Sequence, residues 1–159
     1  MGTTLKSEEP KRGKRASAAE VMREALGVSA KGRAPLGASR IVEITREGLK
    51  PAALNRVMKE MDIRLDDLAD LLAVSKRTLE RRKEEGKRLS QAESDRFVRL
   101  ARVYGQAVET FESREKARRW LKKPNRALQG RAPLSLLDTD GGTRSVEDEL
   151  WRIEYGEYA

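Results

Sequence analysis

Two short stretches of this 159-residue chain hold residues able to do chemistry. In SKRTLERRKE (75–84), the hydroxyls of Ser75 and Thr78 lie among the cations Lys76, Arg77, Arg81, Arg82 and Lys83. Hydroxyls and backbone N–H groups at a helix start bind phosphate, and arginine pairs with guanine in bidentate fashion in the major groove. The second stretch, VEDELWRIEYGEYA (146–159), sets Glu147, Asp148, Glu149, Glu154 and Glu157 around one cation, Arg152. It also holds Trp151, Tyr155 and Tyr158, in a chain with only two Trp, three Tyr and two Phe. A chain of net charge +8 suits a polyanionic partner. An acidic, aromatic tail on such a chain must serve something else.

Composition excludes several function classes. With no Cys and no His, there are no disulfides, zinc fingers, thiol nucleophiles or histidine acid–base groups. Neither a Gly-rich phosphate loop nor a paired-carboxylate spacing stands out, so an enzyme is the poorest reading, and no cofactor or metal is expected. Apolar runs fall short of the roughly 20 residues needed to span a bilayer, and the N-terminus lacks a signal-peptide core. The expected location is cytoplasmic.

The elements that must position the two stretches are helical. Ala, Leu, Glu, Lys and Arg dominate and no strand pattern survives, so the expected fold is all-α. Residues 1–39 read as a flexible basic extension carrying one short helix, SAAEVMREALGV, opened by a Ser17/Glu20 capping box. Its removal up to residue 36 is expected to leave the fold intact. Helices follow over IVEITREGLK, PAALNRVMKEMD, LDDLADLLA and SKRTLERRKEEG. A longer one opens at Ser90 with Glu93 and buries Phe97, Leu100, Ala101, Tyr104, Val108 and Phe111. REKARRWL is a short helix that ends before Pro124, with Trp120 in the core. NRALQGRAPLSLLDTDGG reads as loop with one helical turn. Ser145 and Asp148 are expected to start a last helix, with Val146, Leu150 and Ile153 facing inward and Gly156 at its end.

Residues 65–84 fit a helix-turn-helix. Leu65, Leu68, Ala69 and Leu72 share a face, Ser75 caps the second helix, and Leu79 is its single strong apolar anchor. Lys76, Arg77, Thr78, Arg81 and Lys83 are left outward, as in a recognition helix. Two features depart from the usual pattern. Ala73 stands where many such turns hold Gly, at a cost of about 1 kcal/mol if φ is positive. Arg82 stands where an apolar residue is common.

From Gly48 onward the chain resembles the Xre/MbcA/ParS-type antitoxins, partners of RES-domain toxins. The resemblance rests on LLAVSKRTLERR (71–82), RLSQAESDRFVRLARVY (88–104), ARRWLKKPNRALQGRAPLSLLDTDGG (117–142) and the VEDELWRIEYGEYA ending. It implies a helix-turn-helix and dimerisation domain over 40–112 and a toxin-binding domain over 113–159. The first would bind the operon's own operator DNA, through Ser75, Lys76, Arg77, Thr78, Arg81 and Arg82, as a homodimer. The second would cover the NAD site of an NAD-consuming toxin, through Trp151, Glu154, Tyr155, Gly156, Glu157 and Tyr158. The acidic side chains of such a tail can pair with cations around a phosphate-bearing ligand's pocket, and its rings can fill an apolar slot. The alternative is a stand-alone helix-turn-helix regulator, which would have no need of that tail.

Overall fold

The computed structural model describes residues 16–29 and 36–156. Eight α-helices and two 3₁₀ turns make up its regular structure: α1 Ala18–Leu26, α2 Ala38–Glu47, α3 Ala52–Met61, α4 Leu65–Leu72, α5 Lys76–Glu85, α6 Gln91–Phe111, α7 Arg114–Lys122, 3₁₀ turns at Arg126–Leu128 and Pro133–Leu136, and α8 Asp140–Tyr155. Among the described residues the nearest approach to a sheet is one isolated antiparallel bridge, Asn125 with Arg131.

The centre is α6. The Ser90 hydroxyl accepts the Glu93 N–H at 3.1 Å and the Glu93 carboxylate accepts the Ser90 N–H at 2.7 Å, which fixes its start. Over the next five turns it buries Phe97, Val98, Leu100, Ala101, Val103, Tyr104, Ala107 and Val108. Helices α1, α2, α4, α7 and α8 all pack on it. The Tyr104 hydroxyl, inside this core, donates to the Glu60 carbonyl at 2.7 Å, and burial pushes its phenol pKa up. Trp120 lies half-buried against the same core, its ring tilted 44° to that of Phe111 at 5.5 Å.

Two expectations need correction. The first concerns α1. The Ser17/Glu20 capping box forms as read, but the helix is part of the core rather than an appendage. Val21, Met22, Ala25 and Leu26 are buried against α6 and α3. The cause is Gly105: a Cβ there would stand 2.4 Å from the Ala18 carbonyl oxygen, so its absence lets the two backbones touch. The remaining calls of flexibility in the basic extension, at 1–15 and 30–35, lie outside the described residues.

The second concerns α8, which starts at Asp140 with Thr139 as N-cap, the Thr139 hydroxyl accepting the Gly142 N–H at 3.1 Å. Ser145 is therefore interior, and its hydroxyl donates to the Gly141 carbonyl at 3.2 Å. Gly141 and Gly142 read as loop by propensity. Packing overrides that preference, because the Leu136 carbonyl sits 2.1 Å from where a Gly142 Cβ would be.

Each large apolar side chain of α1 contributes about 1.5–3 kcal/mol by burial. Deleting residues 1–36 should therefore lower the urea midpoint sharply and expose apolar surface on α6. Gly105→Ala should cost about 1–3 kcal/mol by forcing α1 outward. A deletion variant with the full-length midpoint would return α1 to the status of an appendage.

Candidate functional site

The helix-turn-helix closes as its sequence requires. Ala73 takes the left-handed conformation, φ 54° and ψ 43°, and Val74 N–H returns to the Ala69 carbonyl at 3.0 Å. The Ser75 hydroxyl accepts the Thr78 N–H at 3.1 Å and lies 2.8 Å from the Thr78 hydroxyl. Leu79 is the one buried residue of α5. Arg77 and Arg81 stand four apart on the opposite, exposed face. Lys76 is exposed too, in a loose pair with Asp66 at 3.4 Å; an exposed pair of this kind is weak and easily exchanged for a phosphate.

Arg82 does not join this outward set. It turns toward α6 and meets the buried Glu93 carboxylate at 3.2 Å. The expectation that it reads DNA meets a competing contact there: one guanidinium nitrogen is spent on Glu93, and the side chain is only 26% exposed.

The second surface is the end of α8. Val146 and Leu150 are buried and Ile153 is half-buried, so the helix is held from one side. On the other side Trp151 is 47% exposed and Tyr155 63% exposed. Their rings stack at 4.9 Å, tilted by 39°. Glu154 sits beside them, accepting from the Thr110 hydroxyl at 3.4 Å, and Gly156 ends the helix in the left-handed conformation, φ 69°. Glu157 and Tyr158 lie outside the described residues.

The recognition-type helix and the aromatic ending coincide with two known domain families. Residues 40–102 match the antitoxin Xre-like helix-turn-helix domain, and residues 106–156 match the antitoxin Xre/MbcA/ParS C-terminal toxin-binding domain. An antitoxin Xre of Photorhabdus laumondii is 31% identical over 114 residues, covering 71% of this chain and 77% of that protein. The chain belongs to the Xre/MbcA/ParS antitoxin family. An antitoxin Xre of Pseudomonas putida is 40% identical over 80 residues, half of each chain. A Sphingobium protein named Prs ADP-ribosylating antitoxin is 26% identical over 127 residues, 74% of this chain and 80% of its own.

The antitoxin's two matched domains meet within α6, which runs through the boundary between them. Helix α7 then fastens the toxin-binding domain to the rest. Arg114 bridges Glu24 of α1 and Glu60 of α3. Arg118 donates to the Glu60 carbonyl, and Lys122 reaches both the Asp62 carbonyl and its carboxylate. Cations at the C-terminal end of α3 complement its dipole and its orphan carbonyls. Burial opposes the Arg114 charge, but the Glu24 hydrogen bond and the Glu60 carboxylate outweigh it and raise its pKa above the ordinary guanidinium value. The Lys122 hydrogen bond and charge hold the Asp62 carboxyl below its usual range. Sequence reading missed this rail; the signal was the spacing of Arg114, Arg118 and Lys122 at every fourth residue.

Replacing Arg114 with Met should cost about 1–3 kcal/mol, because it strands Glu60, which is three-quarters buried, and frees Glu24. Replacing Trp151 and Tyr155 together with Ala should change stability by only about 0.5 kcal/mol each. Thermal unfolding of both variants checks the contrast. A large loss in the aromatic variant would make those rings part of the core.

Proposed function

We propose that this antitoxin neutralises a RES-domain toxin by covering its NAD site with the end of α8 and the residues after it, and that it represses its own promoter through α5. The observation that carries the reading is the solvated Trp151–Tyr155 stack at the end of a helix anchored on its other face by Val146 and Leu150. Large rings held in water on a rigid support are the usual anchors of a protein interface. Trp151 and Tyr155, with Tyr158 beyond them, would fill the apolar part of the toxin's slot. Glu154 and Glu157 would pair with the cations that otherwise meet the dinucleotide's phosphates. Gly156 ends the helix at that point in the left-handed conformation. The Sphingobium relative's name refers to ADP-ribosylation, a chemistry that draws its ADP-ribose from NAD and so agrees with a toxin of this kind. On this reading the protein works by occlusion, not catalysis, in the cytoplasm where its operon is read.

For repression, Ser75 and Thr78 would meet phosphate at the start of α5, with Lys76 beside them, while Arg77 and Arg81 reach base edges. A homodimer would place two such helices on half-sites about one helical turn apart.

Ending the chain after Ile153 should leave the fold and promoter binding in place but release the toxin. Cell growth and NAD level during co-expression with the toxin of the neighbouring gene measure this. Full protection by the shortened chain would move inhibition to the surface between Trp120 and Gly142. Arg77→Ala should cost about 1–3 kcal/mol in operator affinity if it reads a base, and footprinting of the upstream region checks it. Unchanged protection when Lys76, Arg77 and Arg81 are all Ala would remove α5 from the DNA interface.

A further inference from the structure

We infer that Glu93 is the positioning residue of the recognition helix: through Arg82 it fixes the roll of α5 about its one apolar anchor, and so sets where Arg77 and Arg81 point. The inference rests on the reading of α5 as the DNA-binding helix. A helix held by a single buried side chain, Leu79, can turn about that contact. A second pin on the same face is needed to stop it, and Arg82 is three residues on, where side chains share a face. Arg77 and Arg81 lie opposite, so any roll at the Leu79–Arg82 face displaces them in equal measure.

The pin is built for rigidity. Glu93 is 5% exposed, and one carboxylate oxygen is already committed to the Ser90 N–H at 2.7 Å. That capping contact belongs to α6, so the other oxygen, which takes Arg82 at 3.2 Å, is fixed in the frame of the core. The surrounding segment is tied down as well. Ser94 accepts the Leu49 N–H at 3.0 Å, Leu89 N–H donates to the Leu49 carbonyl at 2.9 Å, and Arg88 donates to the Gly48 carbonyl at 2.8 Å. On the other side of the turn, Arg96 of α6 donates to the Leu72 carbonyl at the end of α4 at 3.3 Å. The first two turns of α6 therefore grip the helix-turn-helix on both sides of Ala73.

Stability alone is a poor reason for this arrangement. A buried ion pair is commonly replaceable by apolar residues without loss, and its best-attested use is to fix one arrangement among several. The Arg82 Nε is buried with no hydrogen-bond partner, a cost that an apolar residue would avoid. The pair trades that cost for a defined orientation.

The test uses the full chain and two duplexes, the region upstream of its own gene and a scrambled sequence of the same length. The variants are Glu93→Leu, Glu93→Gln and the double change Arg82→Leu with Glu93→Leu. Glu93→Leu should weaken binding to the upstream duplex on the order of tenfold, leave the scrambled duplex and toxin neutralisation unchanged, and keep the wild-type salt slope. Glu93→Gln, which keeps one acceptor oxygen and turns the other position into a donor, should fall between Glu93→Leu and wild type. The double change replaces the pin by apolar packing and should return binding to within about threefold of wild type. Wild-type affinity in Glu93→Leu would overturn the inference. So would a double variant that stays weak, and a salt slope lower by about one in that variant would show instead that Arg82 touches phosphate. If the wild-type chain does not select its upstream duplex over the scrambled one, the reading of α5 as a recognition helix fails, and the inference with it.

Discussion

The structure depends on the burial of α6. Five helices pack on it, and with α3, joined through α1 and through the Tyr104 hydroxyl, it organises both domains of the antitoxin. Its capped start holds the helix-turn-helix, and its far end carries Thr110, which touches Glu154 beside the exposed rings. From Glu93 to Thr110 is 17 residues, about 25 Å along a helix at about 1.5 Å per residue. The two candidate surfaces thus sit near opposite ends of one helix.

Charge is apportioned on the same plan. The chain is strongly basic, but many of its cations are committed internally. Arg114, Arg118 and Lys122 close the end of α3, Arg96 closes α4, and Arg102 pairs with Glu147 of α8 at 2.9 Å. Arg77 and Arg81 have no ion-pair partner among the described residues and face solvent. Asp67 and Asp70 of α4, by contrast, line a groove of about 540 Å³ that they share with Lys122, Leu134 and Asp138, away from α5. Net charge predicts a polyanion partner only in general terms, and exposed cations without an ion-pair partner among the described residues also lie on other elements, Arg46, Lys50, Lys123 and Arg126 among them.

Much of this was legible in the sequence because it is local. Capping boxes at Ser17 and Ser90, the Ser75 cap, the left-handed Ala73 and the Gly156 stop each depend on a few neighbouring residues, and each formed as read. What stayed hidden depends on residues far apart. The docking of α1 turns on Gly105 opposite Ala18, and the early start of α8 turns on Gly142 opposite Leu136. In both cases glycine marks a close approach rather than a break, and composition cannot tell the two apart. The Arg82–Glu93 pair was half visible. An arginine in a slot that usually takes an apolar side chain asks for a buried partner, and the capping glutamate eleven residues on supplies it.

The most direct test of two surfaces on one core is amide hydrogen exchange of the full chain, alone, with operator duplex, with toxin, and with both. Operator should slow exchange at 75–84 and toxin at 146–156 and the end of α6, and the ternary complex should show both sets together. Protection of 75–84 by toxin alone, or loss of toxin protection when operator binds, would contradict the separation of the two surfaces.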